Sequence, residues 1–562
     1  MNPWQAGAAR QEIRFEGEGF GMMGYGRADH VIRGRATPLY SRAFCFRSGT
    51  QPALFFAQAE LCMVFPEIKR AVLERLQSRQ PGVFADERLL LCASHTHSAP
   101  GGFSHFPFYN FAVPGFRPQL FEAIVASLAA ALEQAWLALQ DAVLSFTHGD
   151  FPDDADVAFN RSLAAYNRNP GVEQLPDTQT QFALERTMWL LLARTPAGRP
   201  IGQINWFGVH PTSLSNRGRL VSSDNKGYAA EQAEADMGPG SVAIFAQQFA
   251  GDVSPNAQGR SRPQWPRGPF RDETASARFN GRLQAEQARR LVDGIGAAHQ
   301  LAPGTTDAAL LRKDFSDLAV DPAFTGGKAG ERTSMPCHGL PFYGGSPVDG
   351  PGAPAPVLAL LKVLARAAQK RELRGPARAQ AEALQRAQAP KLVVSNSARG
   401  TLLGLDSTRR LPAFLDPILK EVQKQERAGA LREKPWTPSV LPLQYLRLGE
   451  LALIGFPGEI TTEAGRQLRA LCRELLAPAG VREVVISSYA NSYFGYCTTW
   501  HEYQEQQYEG GHTPFGSRTH DAFRMLYGAL LAEALKPAPD RRLDGDAEQR
   551  FSPGTLALRS AG

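Results

Sequence analysis

Residue types that bind metals follow several apolar segments of this 562-residue sequence. Residues 88–94 (RLLLCAS) have the continuous apolar character of a buried strand and lead directly into His95 and His97. Along an extended chain these two histidines would lie on the same side. A lone histidine is more often a structural residue, so the closely spaced pair is the stronger indication of a site for a metal such as zinc.

Other predicted strands also end in polar residues: His210, Asp252, Ser254, Glu459 and the tyrosines after position 488. In layered α/β folds, ligands bind beyond the carboxyl ends of strands. A catalytic zinc ion needs about three protein ligands and one open position for water. His95, His210 and Glu459 would supply three, and a tyrosine would add a fourth oxygen. Hundreds of residues separate these side chains, so spacing alone does not select them.

Ser254 lies in the segment GDVSPN, directly after a predicted strand. A serine at such a position is a candidate nucleophile, although the segment differs from the GxSxG elbow of the α/β-hydrolases. Asp, Ser, Pro and Asn all favour turns, so a structural turn is the alternative. A metal-independent serine hydrolase that uses Ser254 therefore remains open beside a zinc hydrolase.

Segments with helical and strand periodicity alternate along the chain, which predicts a mixed, layered α/β domain. We expect one catalytic domain over residues 1–536 and a loose polar tail over 537–562. Residues 357–388 are predicted to be helical with a break near Gly375. The preceding stretch, 322–356, is rich in Gly and Pro and is predicted to be a long loop or a lid.

Composition and charge argue against a nucleic-acid-binding protein. The net charge is +6, from 61 basic and 55 acidic residues, and the most basic stretch, 362–391, is typical of a solvated helical face. A mild positive field leads us to expect transient contact with an anionic membrane surface. The six cysteines are scattered, which indicates reduced thiols. No apolar signal segment opens the sequence and residues 121–139 look too polar to span a bilayer, so a cytoplasmic location is expected.

Eight motifs occur in the order found in the neutral/alkaline non-lysosomal ceramidases, and the sequence resembles that family over residues 15–535. The motifs are MMGYGRAD, SHTHSAPGG, NRSLAAYNRNP, WFGVHPTS, SSDNKGYAA, GDVSPN, FPGEITTEAGR and YFGYCTTWHEYQEQQYEG. The family cleaves the amide bond of N-acylsphingosine. The resemblance therefore implies hydrolysis of ceramide or a related N-acyl lipid to a fatty acid and an amine, with a small lipid-like substrate and no obligate protein partner.

The resemblance also implies particular roles. One zinc ion per chain would be bound by His95, His210, Glu459 and Tyr496. His97 would act on the leaving nitrogen or the water, and Arg161 and Tyr508 would hold the carbonyl oxygen. Ser254 matches the serine assigned as nucleophile in the family. Arg161 and Tyr508 are donors suited to an oxyanion, and His97 has a suitable intrinsic pKa for proton transfer.

The sequence also departs from the family pattern. Family members usually carry a secretory signal and a C-terminal immunoglobulin-like β-sandwich of about 100 residues. Here we expect a catalytic domain without the sandwich. The histidine motif reads SAPGG where the family usually has SGPGG, and residues 260–440 differ most. Another long-chain N-acyl amide is therefore an alternative substrate, and a non-catalytic lipid-binding relative is the remaining alternative.

Overall fold

The computed structural model describes residues 3–257, 267–412 and 416–560. Within these residues, two β-sheets stack face to face between two outer layers of helices. The order of the layers is helix, sheet, sheet, helix. The predicted mixed α/β architecture is therefore confirmed.

The larger sheet has eight strands. In spatial order they are Val242–Ala246, Pro200–Trp206, Thr187–Arg194, Gln140–Asp150, Trp4–Glu12, Tyr40–Ser48, Leu54–Ala59 and Leu89–Ala93. The outermost pair at each edge is parallel, and the pairs between them are antiparallel. Side chains alternate between the two faces: Ala43 and Cys45 face helices, whereas Phe44 and Phe46 face the second sheet.

The smaller sheet packs on that inner face. Its four strands, in spatial order, are Thr306–Asp314, Val440–Leu448, Leu451–Gly455 and Glu483–Ser487. Leu446, Leu453 and Val485 contribute to the same apolar layer as Phe46 and Phe56 of the larger sheet. Fully burying such a side chain stabilises a fold by about 1.5–3 kcal/mol, so this interface holds the two sheets in one rigid frame.

Three pairs of helices form the outer layers: Pro66–Arg79 with Pro118–Leu137, Asp224–Met237 with Glu273–Asp293, and Thr462–Leu476 with Thr519–Ala534. The first two pairs cover the larger sheet and the third covers the smaller one. Among the described residues, Pro118–Leu137 is the one helix long and apolar enough to cross a membrane, contrary to the expectation from sequence. Half of its apolar stretch is buried within the protein, as in the core helix of a globular domain.

Most of the remaining elements are short, and the longest is the 18-residue helix Ala355–Glu372. The strands are Gly34–Arg35, Phe159–Asn160, Leu220–Val221, Val253–Ser254, Cys337–Gly339, Gly345–Ser346, Gly350–Pro351, Val393–Asn396, Thr401–Leu402, Glu459–Ile460 and Tyr496–Cys497. The helices are Leu163–Tyr166, Leu340–Gly344, Ala355–Glu372, Arg378–Gln388, Pro417–Arg427, Trp500–Tyr503, Tyr508–Gly511 and Pro553–Arg559.

Of two predictions for the second half of the chain, one agrees with the structure and the other differs from it. The predicted helical segment 357–388 is two helices with a break at residues 373–377, as expected. The tail predicted to be loose is instead partly packed. The ring of Phe551 lies 5.1 Å from that of Phe106, and the buried Arg559 donates to the carbonyl of Ala430. An aromatic ring and a satisfied guanidinium hold this segment against the domain.

His520 gives the fold a predictable dependence on pH. Its ring is buried in the helix Thr519–Ala534, with Nε2 at 2.9 Å from the carbonyl oxygen of Ala464, and burial lowers its pKa from 6.5 to about 3. Below pH 6.5 the unfolded chain binds a proton here that the folded chain does not. The free energy of unfolding should therefore decrease as the pH is lowered below about 6.5, by up to about 1.4 kcal/mol per pH unit from this group.

Urea unfolding between pH 7.5 and 4 would measure this effect. His520→Gln keeps a donor for Ala464 and removes the titration, so its free energy of unfolding should depend less steeply on pH than that of the wild type. Equal slopes for the two proteins would contradict the assignment to His520.

Candidate metal centre and active site

Three side chains reach one point from the carboxyl ends of different strands. His95, His210 and Glu459 follow the strands Leu89–Ala93, Pro200–Trp206 and Leu451–Gly455, respectively. Each of these strands has a parallel neighbour, so the strand ends open at the same side of the frame. His95 adopts a positive φ of 75°, a strained conformation that turns its ring out of the strand direction.

Two short ladders beyond the sheets complete the arrangement. Glu459–Ile460 pairs in parallel with Tyr496–Cys497, which places Glu459 directly opposite Tyr496. Val253–Ser254 pairs with Phe159–Asn160, and the amide of Arg161 then donates to the carbonyl of Asp252. Segments far apart in sequence are thereby joined by backbone hydrogen bonds at the site.

Four side-chain donors converge at distances suited to one zinc ion. His210 Nε2 lies 3.0 Å and His95 Nε2 lies 3.3 Å from the two carboxylate oxygens of Glu459. The hydroxyl of Tyr496 lies 3.3 Å from His210 Nε2. With zinc–ligand bonds of about 2.0–2.1 Å, neighbouring ligand atoms lie about 3.3 Å apart. All four side chains are buried, and this donor set fits zinc.

The backbone selects the nitrogen that each histidine offers. Nδ1 of His95 lies 2.7 Å from the carbonyl oxygen of Cys62, and Nδ1 of His210 lies 3.0 Å from that of Val253. A carbonyl oxygen only accepts, so each Nδ1 carries the hydrogen and each Nε2 presents its lone pair. Both rings are thus held in the tautomer that binds a metal through Nε2.

A second group of possible ligands, Cys62, His95 and His97, shares His95 with the first. Metal binding by cysteine requires the thiolate, and burial raises the pKa of the Cys62 thiol well above its usual value. The Nδ1 of His95, which lies toward Cys62, is also occupied by the carbonyl hydrogen bond. The group of His95, His210 and Glu459 is therefore the better metal site.

Two tyrosines hold the carboxylate of Glu459. The hydroxyl of Tyr489 donates to one oxygen at 3.1 Å and that of Tyr493 to the other at 2.5 Å. Burial raises the pKa of Glu459, but the neighbouring His95 and His210 lower it more, so that it lies well below its usual value. The carboxylate is therefore charged and oriented. The sequence analysis predicted tyrosines near the site, but it did not predict that Tyr489 and Tyr493 bind the carboxylate of Glu459.

His97 borders the donor group and faces the cleft. Its Nε2 lies 3.0 Å from His95 Nε2, and its Nδ1 has no hydrogen-bond partner among the described residues. Burial, with the neighbouring His95 and His210, holds the pKa of His97 well below 6.5, so its ring is neutral at pH 7. A Cβ on Gly24 would lie 2.5 Å from the His97 ring, so the close approach of that backbone requires glycine.

Arg161 is held beside Tyr496 by two carboxylates. Its guanidinium donates to Asp349 at 2.7 Å and to Glu509 at 3.0 Å. It also donates to the Tyr496 hydroxyl at 3.0 Å and to the carbonyl of Gly251 at 2.9 Å. The guanidinium lies 5.7 Å from the ring centre of Tyr508, which also borders the cleft. Arg161 therefore brings a positive charge beside the candidate metal ligands in one orientation.

The structure places Ser254 behind the cleft wall. Ser254 is fully buried, and its hydroxyl donates to Asp349 at 2.6 Å. Asp349 and Arg161 line the cleft, whereas Ser254 does not. Asp349 is a site residue that the sequence analysis missed, because it lies in the Gly- and Pro-rich stretch and belongs to none of the recognised motifs.

Asp349 connects Arg161 to Ser254, so its charge should matter for activity. Burial raises its pKa, but Arg161, His210 and the hydrogen bond from Ser254 together lower it more, so the carboxylate is charged. Asp349→Asn removes that charge and one of the acceptors that orient Arg161. We expect kcat to fall roughly ten- to a hundredfold, with zinc content unchanged, as for other residues that orient a metal site.

The exposed pair of Asp317 and Arg332 supplies a matched control. Asp317→Asn should leave kcat unchanged. A kcat for Asp349→Asn within twofold of the wild type, measured on folded and zinc-loaded protein, would show that Asp349 does not orient Arg161.

All the metal donors lie at the wall of a cleft of about 380 Å³. This volume is in the range of small-molecule sites, about 300–1,000 Å³. Much of the remaining wall is apolar and includes Met63, Phe108, Val113, Val422 and Trp436. The stretch predicted to be a loop or lid contributes Phe342 and Tyr343 from the helix Leu340–Gly344 and the hairpin that follows it. The cleft is thus polar at the donors and suited to an apolar chain elsewhere.

Comparisons with known proteins show which family this chain resembles. The sequence profile described as "Neutral/alkaline non-lysosomal ceramidase, N-terminal" matches residues 4–401 and 421–525. The neutral ceramidase of Pseudomonas aeruginosa is 33% identical over 537 residues, which cover 95% of this chain and 72% of that protein. The neutral ceramidase of Mycobacterium tuberculosis is 32% identical over 540 residues, covering 93% and 76%.

Solved structures show the same fold. One described as a ceramidase complexed with C2 has a TM-score of 0.77 at 30% identity and covers 98% of this chain and 79% of its own. The crystal structure of the Pseudomonas aeruginosa neutral ceramidase has a TM-score of 0.76 at 29% identity, covering 99% and 77%. The chain therefore belongs to the neutral/alkaline non-lysosomal ceramidase family, as the order of its sequence motifs indicated.

Proposed function

We propose that this protein hydrolyses the amide bond of ceramide or a closely related N-acyl lipid, using one zinc ion per chain. The observation that carries the proposal is the convergence of His95, His210, Glu459 and Tyr496 at zinc-ligand spacing on the wall of a largely apolar cleft. The similar neutral ceramidases and the structure of a ceramidase complexed with C2 support the lipid substrate.

Zinc at these donors would lower the pKa of water from about 15.7 to about 7 and would polarise a carbonyl oxygen. The chain's own residues supply the remaining requirements of amide hydrolysis. A proton acceptor must serve the attacking water, donors must stabilise the carbonyl oxygen, and a proton must reach the departing nitrogen. Each requirement has a candidate at the cleft wall.

His97 is suited to the proton transfers. Its ring is neutral, and its Nε2 lies 3.0 Å from His95 Nε2, beside the metal donors. A proton taken from water can then pass to the leaving nitrogen, because the ring also borders the cleft. The unpartnered Nδ1 leaves the ring free of a competing hydrogen bond.

Arg161 is suited to hold the carbonyl oxygen. A guanidinium has five N–H groups, and four of those on Arg161 have partners among the described residues. One Nη1 hydrogen is therefore left for the substrate. Tyr508, whose ring lies 5.3 Å from that of Tyr496, borders the same space and offers a second donor. Removing one such donor from an oxyanion site typically costs about 10²–10³ in kcat.

The burial of Ser254 favours the metal-dependent reaction over a serine hydrolase. Its hydroxyl is shielded from the cleft and donates to Asp349, whereas a nucleophile must reach the substrate carbonyl. Ser254 would then act by keeping Asp349 and Arg161 in place. The complete set of donors around the cleft also favours an enzyme over a lipid-binding protein without activity, because binding alone does not require them.

Chelation tests the proposal directly. Purified protein should contain one zinc ion per chain and release fatty acid from N-acylsphingosine. Treatment with 1,10-phenanthroline should remove zinc and abolish fatty-acid release, and added zinc should restore both. Full activity after the metal has been removed would contradict the proposal and support a serine hydrolase.

A further inference from the structure

The helix Ala355–Glu372 carries a row of exposed apolar side chains. Val357, Leu360, Val363 and Leu364 are 45%, 52%, 63% and 38% exposed. The spacing of positions 357, 360 and 364 places these side chains on one side of the helix, next to Val363. Single exposed apolar residues are common on protein surfaces, but four on one side of a single helix form a patch. We call these four residues the apolar face.

The opposite side of the helix is firmly packed. Ala365 and Ala368 are buried and form an apolar cluster with Val394 and Leu403. Arg371 adds hydrogen bonds to the backbone carbonyls of Leu403 and Gly404. The helix therefore presents its apolar face to solvent in one orientation, and that exposure does not result from a loosely attached segment.

Three cations flank the apolar face. Lys362, Arg366 and Lys370 are exposed, and none forms an ion pair with any residue in the described parts of the chain. Arg366 and Lys370 follow Val363 by three and seven positions, which places them on its side of the helix. Within the helix, Glu372 is the single acidic residue. An apolar stripe beside unpaired cations is the pattern of a helix that lies on an anionic membrane surface.

The helix is also adjacent to the cleft. Gly352 and Ala353, which immediately precede it, line the cleft together with the hairpin formed by Gly345–Ser346 and Gly350–Pro351. The neighbouring helix Leu340–Gly344 contacts it and contributes to the cleft wall. The apolar face thus continues from the rim of a cleft that is itself largely apolar.

We propose that the helix Ala355–Glu372 docks this protein on the surface of an anionic phospholipid bilayer. The apolar face enters the boundary between headgroups and acyl chains, and the three cations contact phosphate groups. Docking in this orientation brings the rim of the cleft to the bilayer, so that an N-acyl lipid passes from the membrane to the metal centre. The transfer of substrate rests on the proposed function, whereas the docking does not.

Sedimentation with vesicles of phosphatidylcholine and phosphatidylglycerol tests the apolar part of the proposal. Leu360→Ser combined with Val363→Ser should lower the vesicle partition coefficient roughly tenfold, because both side chains lose their burial in the bilayer. The matched control combines Leu137→Ser with Leu558→Ser, which are 68% and 53% exposed elsewhere. This control should bind vesicles like the wild type.

Charge is tested separately. Replacing Lys362, Arg366 and Lys370 together by Gln should lower binding to the anionic vesicles at least roughly tenfold and should weaken its dependence on salt. Binding to vesicles of phosphatidylcholine alone should change little. An equal loss on both kinds of vesicle would contradict the role given to the cations.

Activity measurements separate docking from catalysis. The Leu360→Ser/Val363→Ser protein should hydrolyse a short-chain ceramide in solution at the wild-type rate and should be slowed on long-chain ceramide in vesicles.

Unchanged vesicle binding by this variant, or an equal loss in the control, would overturn the proposal. A wild-type dimer that becomes monomeric in the variant, with no vesicle binding, would identify a second copy as the occupant. Vesicle binding with the expected pattern but without hydrolysis would overturn only the proposed function.

Discussion

Replacing His210 by alanine should remove the zinc ion and lower ceramide hydrolysis by at least about a thousandfold. Nε2 of His210 lies 3.0 Å from a carboxylate oxygen of Glu459, and its Nδ1 is held by the carbonyl of Val253. The variant would lose one of the two imidazole ligands and leave Glu459, His95 and Tyr496, a weaker donor set for zinc.

Zinc content by mass spectrometry and fatty-acid release should be measured on the same preparation. His148→Ala is the matched control, because His148 is exposed and lies outside the cleft. It should keep one zinc ion and full activity. Circular dichroism separates loss of the metal from loss of the fold. A folded His210→Ala protein with full zinc and full turnover would show that His210 is not a ligand.

Replacing His97 by glutamine should lower kcat by about 10²–10⁴ while zinc content stays at one ion per chain. Glutamine occupies a similar space but cannot exchange a proton near neutral pH. His97 borders the cleft next to His95, and we assign it proton transfer and not metal binding. The metal donors themselves are unchanged in this variant. The expected phenotype is therefore a loaded but slow enzyme.

An ester substrate tests the role of His97 further. A p-nitrophenyl ester has a leaving group that needs no proton, so His97→Gln should slow ester hydrolysis less than amide hydrolysis if His97 protonates the leaving nitrogen. An equal loss on both substrates would place its role at the attacking water. Loss of zinc from the folded His97→Gln protein would contradict the assignment and make His97 a ligand.

The sequence predicted the elements whose apolar pattern is strong. Residues 88–94 contain the strand Leu89–Ala93, and residues 357–388 form helices with the expected break. The strand Trp4–Glu12 was not predicted, although it lies within the larger sheet. Its sequence, WQAGAARQE, is poor in β-branched residues, and its place depends on pairing with Tyr40–Ser48. Such tertiary context is not visible in a local pattern.

In the candidate site, too, some residues could be recognised from the sequence and others depend on tertiary contacts. His95, His210 and Glu459 follow strands and lie in recognisable motifs, so they could be selected from sequence. Asp349 could not, because its importance depends on a hairpin that places it against Arg161 and Ser254. The burial of Ser254 behind the cleft wall likewise depends on packing. Residue type and motif indicated which side chains were available, whereas contacts decided what each can reach.

Zinc K-edge X-ray absorption of the purified protein tests the central claim most directly. We predict four protein ligands at about 2.0–2.2 Å, two imidazole nitrogens and two oxygens, together with the water oxygen that the proposed reaction requires and no sulfur. A zinc–sulfur distance of about 2.3 Å would place the ion at Cys62 and would contradict the site formed by His95, His210 and Glu459.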